Sequence, residues 1–156
     1  MNITVKRILL AEDSDRDAEL TLNALAQNNL VNEIERVRDG VEALDYLYRR
    51  GHYSSRPIGN PAVVLLDLKM PKVDGVEVLR QIRGDPRLQL IPVVVMTSSR
   101  EEQDVLRSYE LGANACMVKP VNFKEFVDAV KQVGVFWAIL NEPPPGVPPR
   151  VKSETS

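Results

Sequence analysis

A single cysteine, Cys116, stands in the 156-residue chain. That excludes an internal disulfide and makes a reducing cytosol the natural setting. No apolar run approaches the roughly 20 residues that a membrane-spanning helix needs. Neither sign of charge dominates, with 20 Lys and Arg against 22 Asp and Glu, so no nucleic-acid or membrane partner is indicated. The opening MNITVKRILLAED has a short apolar core that runs straight into acids without a small-residue cleavage site, and it does not read as a secretory signal. Neither GxGxxG nor GxxxxGK[ST] occurs among the eight glycines, which removes the usual phosphate-cradling loops of nucleotide-binding modules. No internal repeat is visible. What is present, 44% hydrophobic and 27% charged residues, suits one soluble domain with a real core.

Apolar runs alternate with helical periodicity. Lys6–Ala11, Glu33–Arg38, Ala62–Leu66, Pro92–Met96 and Ala115–Val118 read as five strands. The first, third and fourth are continuous in Val, Ile and Leu, as parallel strands covered on both faces should be. The second alternates, which suits an edge. A capping-box pattern follows each strand: Ser14 with Asp17, Asp39 with Glu42, Asp74 with Glu77, Ser99 with Glu102, and Asn122 with Glu125. In each, a short polar residue can bond an orphan amide and an acid three residues on can reciprocate. Helices are therefore expected over 14–28, 40–50, 74–83, 99–111 and 122–141. Five strand–helix units with right-handed crossovers give an α/β fold, a doubly wound five-stranded parallel sheet in the order 2-1-3-4-5. Residues 1–141 would form this domain. The connection Arg50–Asn60 reads as a long, adaptable surface loop. Residues 142–156 hold five of the eleven prolines and read as a disordered, polyproline-like tail.

In that strand order, ligands sit beyond the carboxyl ends of the strands where the winding reverses, between strands 1 and 3. Strand 1 ends in Glu12 and Asp13, and strand 3 ends in Asp67. Three converging carboxylates would repel and raise one another's pKa values, and a hard divalent cation such as Mg²⁺ is the economical remedy. Acids after a strand can simply start a helix. That explanation fails for Asp67, which lies seven positions before the cap at Asp74. Thr97 and Lys119 fall on the same rim, and a hydroxyl beside a fixed cation matches what the oxygens of a phosphoryl group require. A carboxylate can also attack phosphorus to give an acyl phosphate, so Asp67 is a candidate acceptor.

These residues resemble the receiver domains of two-component response regulators, which have the flavodoxin-like (CheY-like) fold. LLAEDS matches the acidic pair, LLDLKMPKVDG the phosphoacceptor motif, VVVMTSS the Thr/Ser position and MVKP the lysine. The resemblance covers about residues 5–140. It implies that Asp67 accepts a phosphoryl group from the phosphohistidine of a histidine kinase. It also implies that Glu12, Asp13, Asp67 and the Lys69 backbone carbonyl hold Mg²⁺, that Thr97 and Lys119 bond the phosphoryl oxygens, and that the Lys119–Pro120 peptide is cis. One position departs from the pattern: Cys116 stands where receivers usually carry Tyr or Phe, three residues before the lysine. As a small buried hydrophobe, it leaves any signal to pass through Thr97 and backbone shifts.

No effector domain follows in the sequence, so output is expected through protein partners or self-association. Val133–Leu140 is apolar nearly all round, and a helix of that kind needs a second covering surface. Phe136 and Trp137 lie about 100° apart on a helix. A homodimer through Phe136, Trp137 and Leu140, with the neighbouring fourth helix and fifth strand, is expected. The loop after the second helix, the segment 108–114 and the extended last helix resemble a narrower group, stand-alone receivers that partner bacterial phytochrome-type histidine kinases. The rival enzyme reading is a phosphohydrolase with an aspartyl nucleophile. Such enzymes need an acid two residues after the nucleophile, and that position is Lys69.

Overall fold

In the computed structural model, which describes residues 7–26, 33–98, 107 and 109–132, five parallel strands form one sheet in the order β2-β1-β3-β4-β5. The strands are β1 (Arg7–Ala11), β2 (Glu33–Val37), β3 (Val63–Asp67), β4 (Val93–Thr97) and β5 (Ala115–Val118). The helices are α1 (Asp15–Ala26), α2 (Gly40–Tyr48), α3 (Gly75–Gly84) and α4 (Phe123–Gln132), with a short 3-10 turn at Gly51–Tyr53. The winding reverses between β1 and β3, as the sequence predicts.

Side chains alternate across a strand, so a strand buried on both faces feeds two cores. Leu9, Val64, Leu66 and Val95 join Leu44, Leu79 and Ile82 of α2 and α3. Ile8, Leu10, Leu65 and Met96 join Leu25 of α1 and Phe126 of α4. Each such Leu or Ile contributes about 1.5–3 kcal/mol through burial. On the edge strand β2 only Val37 is buried, and Glu33 and Glu35 point to solvent.

Two strands run one residue further than their apolar runs. The ladder continues through Asp67, opposite Met96, and through Thr97, opposite Val118. Both polar residues are thus held by main-chain pairing rather than by loops.

The helix caps form as expected at the four described starts. Ser14 Oγ accepts from the Asp17 amide at 3.1 Å, and Asp39 Oδ1 from Glu42 at 2.8 Å. Asp74 Oδ1 accepts from Glu77 at 2.9 Å, and Asn122 Oδ1 from Glu125 at 2.8 Å. The reciprocal bonds differ. Glu42 accepts from the Arg38 amide, one residue ahead of the cap, and Glu77 engages Arg80 and Gln81 within its own helix. Ser99 with Glu102, and most of the helix expected over 99–111, lie outside the described residues, although Arg107, Tyr109 and Glu110 are helical. The same holds for 133–156, including Phe136, Trp137 and Leu140.

The connection after α2 differs from the adaptable loop expected. Arg49 donates twice to the Arg56 carbonyl, and Arg56 donates to the carbonyls of Tyr46, Pro57 and Gly59. The Arg56 guanidinium also lies 4.2 Å from the centre of the Tyr46 ring. Two arginines therefore tie this segment to the end of α2.

The loop from Leu68 to Asp74 is gripped at both ends by close backbone approach. A Cβ on Gly75 would lie 2.3 Å from the Asp67 carbonyl oxygen, and one on Gly40 would lie 1.8 Å from that of Val73. Only glycine fits either place. The two contacts set the path of the chain that leaves Asp67.

Candidate functional site

Asp67 ends β3 only 6% exposed. Its Oδ1 accepts from the Lys69 amide at 3.1 Å, and its Oδ2 lies 3.0 Å from Lys119 Nζ. Glu12, just past β1, is fully buried. Its Oε2 accepts from the Ser14 amide at 3.1 Å. Lys119 Nζ lies 2.6 Å from the other oxygen, Oε1. The approach is poorly aligned for a hydrogen bond, so among the described residues Oε1 has charge contact but no aligned donor. Asp13 is exposed on the rim, and one oxygen from each of Glu12, Asp13 and Asp67 lies within 4.8 Å of the others.

Thr97 and Lys119 come together as expected. The Lys119 amide donates to the Thr97 carbonyl at 2.8 Å, and Thr97 stands beside Val118 in the ladder. The Lys119–Pro120 peptide is cis. Cys116, opposite Val95, packs half-buried against the core on the α2–α3 face.

Electrostatics follow from crowding several acids around one ammonium. Burial, only partly countered by Lys119 and reinforced by Asp67, raises the Glu12 pKa from 4.5 to about 7. Burial opposes the charge on Lys119 as well. Glu12 and Asp67 outweigh it and hold the lysine pKa above the ordinary lysine range, so Lys119 is a fixed cation at any physiological pH.

A buried carboxylate oxygen without an aligned donor, in a set of three converging acids, fits a hard divalent cation. Protons then compete with the ion at Glu12. Divalent affinity should rise with pH by up to roughly tenfold per unit below about 7 and level off above it. Calorimetry in two buffers should show about one proton released per ion at pH 6 and almost none at pH 8. An affinity flat from pH 5.5 to 8 would remove Glu12 from the ligand set.

The arrangement includes two residues that the sequence reading did not place in the site. Asp17 Oδ2 lies 3.3 Å from Lys119 Nζ and makes a third carboxylate around it. Arg36 of β2 donates through Nε and Nη2 to the Glu12 carbonyl at 2.9 and 2.8 Å, and through Nη1 to Asp15 at 2.9 Å. It fixes the turn that carries the acidic pair. A signal for Arg36 did exist: it shares a face with Ile34, two residues earlier on the edge strand, one position before the end of β2.

The response regulator receiver domain family matches the chain over residues 8–131. The chain is 42% identical over 132 residues to response regulator Rcp1 of Synechocystis sp., covering 85% of this chain and 88% of the relative. A solved structure of the Mn(2+)-bound form of response regulator Rcp1 matches with a TM-score of 0.69 at 39% identity, over 94% of this chain and 99% of that one. The bacteriophytochrome response regulator RtBRR matches with a TM-score of 0.81 at 61% identity, over 92% of this chain and 86% of that one. The phosphorylated cyanobacterial phytochrome response regulator RcpA matches with a TM-score of 0.70 at 41% identity, over 86% and 95%.

Proposed function

The chain belongs to the response regulator receiver domain family, and from that premise we propose that it takes a phosphoryl group onto Asp67 from the phosphohistidine of a histidine kinase. As a receiver it is a phosphoacceptor signalling protein rather than a turnover enzyme. The observation that carries the reading is the state of Asp67: it is buried at a strand end, with one oxygen on the Lys69 amide and the other 3.0 Å from Lys119 Nζ.

Glu12, Asp13, Asp67 and the Lys69 carbonyl would hold Mg²⁺. Bound there, the ion would offset the negative charge of phosphoryl oxygens and acids together. Lys119 supplies a second fixed positive charge, and the Thr97 hydroxyl supplies a donor on the adjacent strand. The kinase is of the bacterial phytochrome type. Support comes from the likeness to RtBRR and to Rcp1, at 61% and 42% identity. Such a partner places the protein in the cytoplasm, in keeping with its lone cysteine.

Output runs through protein contacts. Phosphorylation would draw Thr97 toward the new group and shift β4, β5 and the segment between them, with Cys116 in the position of the usual aromatic switch. Residues 1–141 act as the receiver and 142–156 as a tail. Self-association through Phe136, Trp137 and Leu140, together with the fourth helix expected over 99–111 and the fifth strand, rests on the apolar sequence of those three residues.

The test is intact-mass spectrometry after incubation with Mg²⁺ and a small acyl-phosphate donor. A single phosphoryl adduct is expected, absent when the ion is chelated. No adduct under saturating donor would end the reading.

A further inference from the structure

Lys119 has three ammonium protons, and three carboxylates stand around it: Glu12 at 2.6 Å, Asp67 at 3.0 Å and Asp17 at 3.3 Å. The first two belong to the acidic triad. Asp17 does not. It comes from the first turn of α1, its amide fixed by the Ser14 cap. Leu20, Thr21, Pro120 and Val121 close around the Asp17–Lys119 pair. Asp17 therefore draws the ammonium from a direction of its own and adds a negative charge that no triad member needs.

We propose that Asp17 is a specificity-determining residue: by holding Lys119 from outside the acidic triad, it lowers the pocket's affinity for small, free anionic phosphoryl donors. The inference rests on Asp67 being the acceptor. In that transfer an Asp67 oxygen forms a bond to phosphorus and the donor's own bond to phosphorus breaks: oxygen–phosphorus in an acyl phosphate, which leaves as a carboxylate, and nitrogen–phosphorus in a phosphohistidine, which leaves as the imidazole. A small anionic donor has only the pocket's field to attract it, and Asp17 weakens that field twice. It repels the donor directly, and it shares the Lys119 ammonium that would meet the donor's oxygens. A donor carried on a protein has contact surface to offset this. Asp17 thus favours a docked donor over a free one.

The experiment measures adduct formation against donor concentration in the full-length chain with Mg²⁺, for wild type, Asp17→Asn, Asp17→Ser and Asp17→Glu. Asn keeps the size of the side chain, and the hydrogen bond that the residue-17 backbone N–H donates to Ser14 Oγ does not depend on the carboxylate. Both uncharged variants should reach half-saturation at roughly two- to fivefold lower donor concentration, the range of a partly exposed ion pair. Their maximal rate should change little, and Asp17→Glu should behave as wild type. The difference should shrink in about 1 M salt, where the screening length is about 3 Å.

Equal half-saturation in wild type and both uncharged variants, with adduct forming in all, would overturn the role of Asp17 and leave Asp67 as acceptor. A shift shared by Asp17→Glu would overturn it too, since shape rather than charge would then be responsible. Absence of any adduct in wild type would overturn both readings together.

Discussion

Asp67→Asn should abolish the phosphoryl adduct completely while the chain stays folded. The amide keeps the size of the carboxylate at a position only 6% exposed, so packing beside Leu66 and Met96 is retained. Its oxygen can still accept from the Lys69 amide. What disappears is a nucleophile, because a neutral amide oxygen does not displace a leaving group from phosphorus under these conditions. A second consequence has a definite sign. Burial is the first cause of the raised Glu12 pKa, and proximity to Asp67 adds to it. Removing that charge should lower the Glu12 pKa from about 7 but leave it above 4.5, because burial remains. Carboxyl titration followed by NMR would read the shift, and intact mass would read the adduct. An adduct of undiminished stoichiometry in the variant would place the acceptor elsewhere. A Glu12 pKa that stayed put would mean that the two carboxylates do not sense one another.

Most of this site was legible because its residues sit where regular structure must stop. A parallel strand covered on both faces leaves a continuous apolar trace, and the first polar residue after that trace marks the rim. Glu12, Asp67 and Thr97 follow in that way, and the caps at Ser14, Asp39, Asp74 and Asn122 mark where α1 to α4 begin. Side chains that act across elements were harder to read. Asp17 looks like an ordinary first-turn acid, and only the angle at which α1 leaves β1 brings it to Lys119. Arg56 binds backbone carbonyls, a contact with no periodicity and no composition signal, so its loop looked free when it is pinned. Gly40 and Gly75 belong to the same class. Their need for a bare Cα is set by the approach of Val73 and Asp67, which depends on the packed fold rather than on either glycine's neighbours in sequence.

Lys119→Met should destabilise the protein by about 3–5 kcal/mol at pH 8, the cost of stripping a buried pair of one partner, and by less at pH 5. Methionine replaces the length and most of the apolar stem, so the loss reports the charge. Lys119 is 13% exposed at its side chain and Glu12 is fully buried, so neither charge is well hydrated when left alone. The pH dependence follows from linkage. A carboxyl whose folded pKa is raised stabilises most below its unfolded value, and that stability drains away as pH rises through the folded value. In wild type the window runs from 4.5 to about 7. Without Lys119, which holds the Glu12 pKa down, the folded value climbs further and the window extends upward. At pH 8 the variant must either keep a buried charge unpaired or keep a proton that the unfolded chain has released. At pH 5 wild type and variant both hold Glu12 largely protonated, and the gap narrows. Added Mg²⁺ should recover part of the loss at pH 8, since a cation at the triad restores the missing counter-charge. Urea midpoints at the two pH values, with and without the ion, test all three statements. Equal losses at pH 5 and pH 8 with no response to Mg²⁺ would mean that the stabilising charge of Lys119 does not act through Glu12 or the acidic triad.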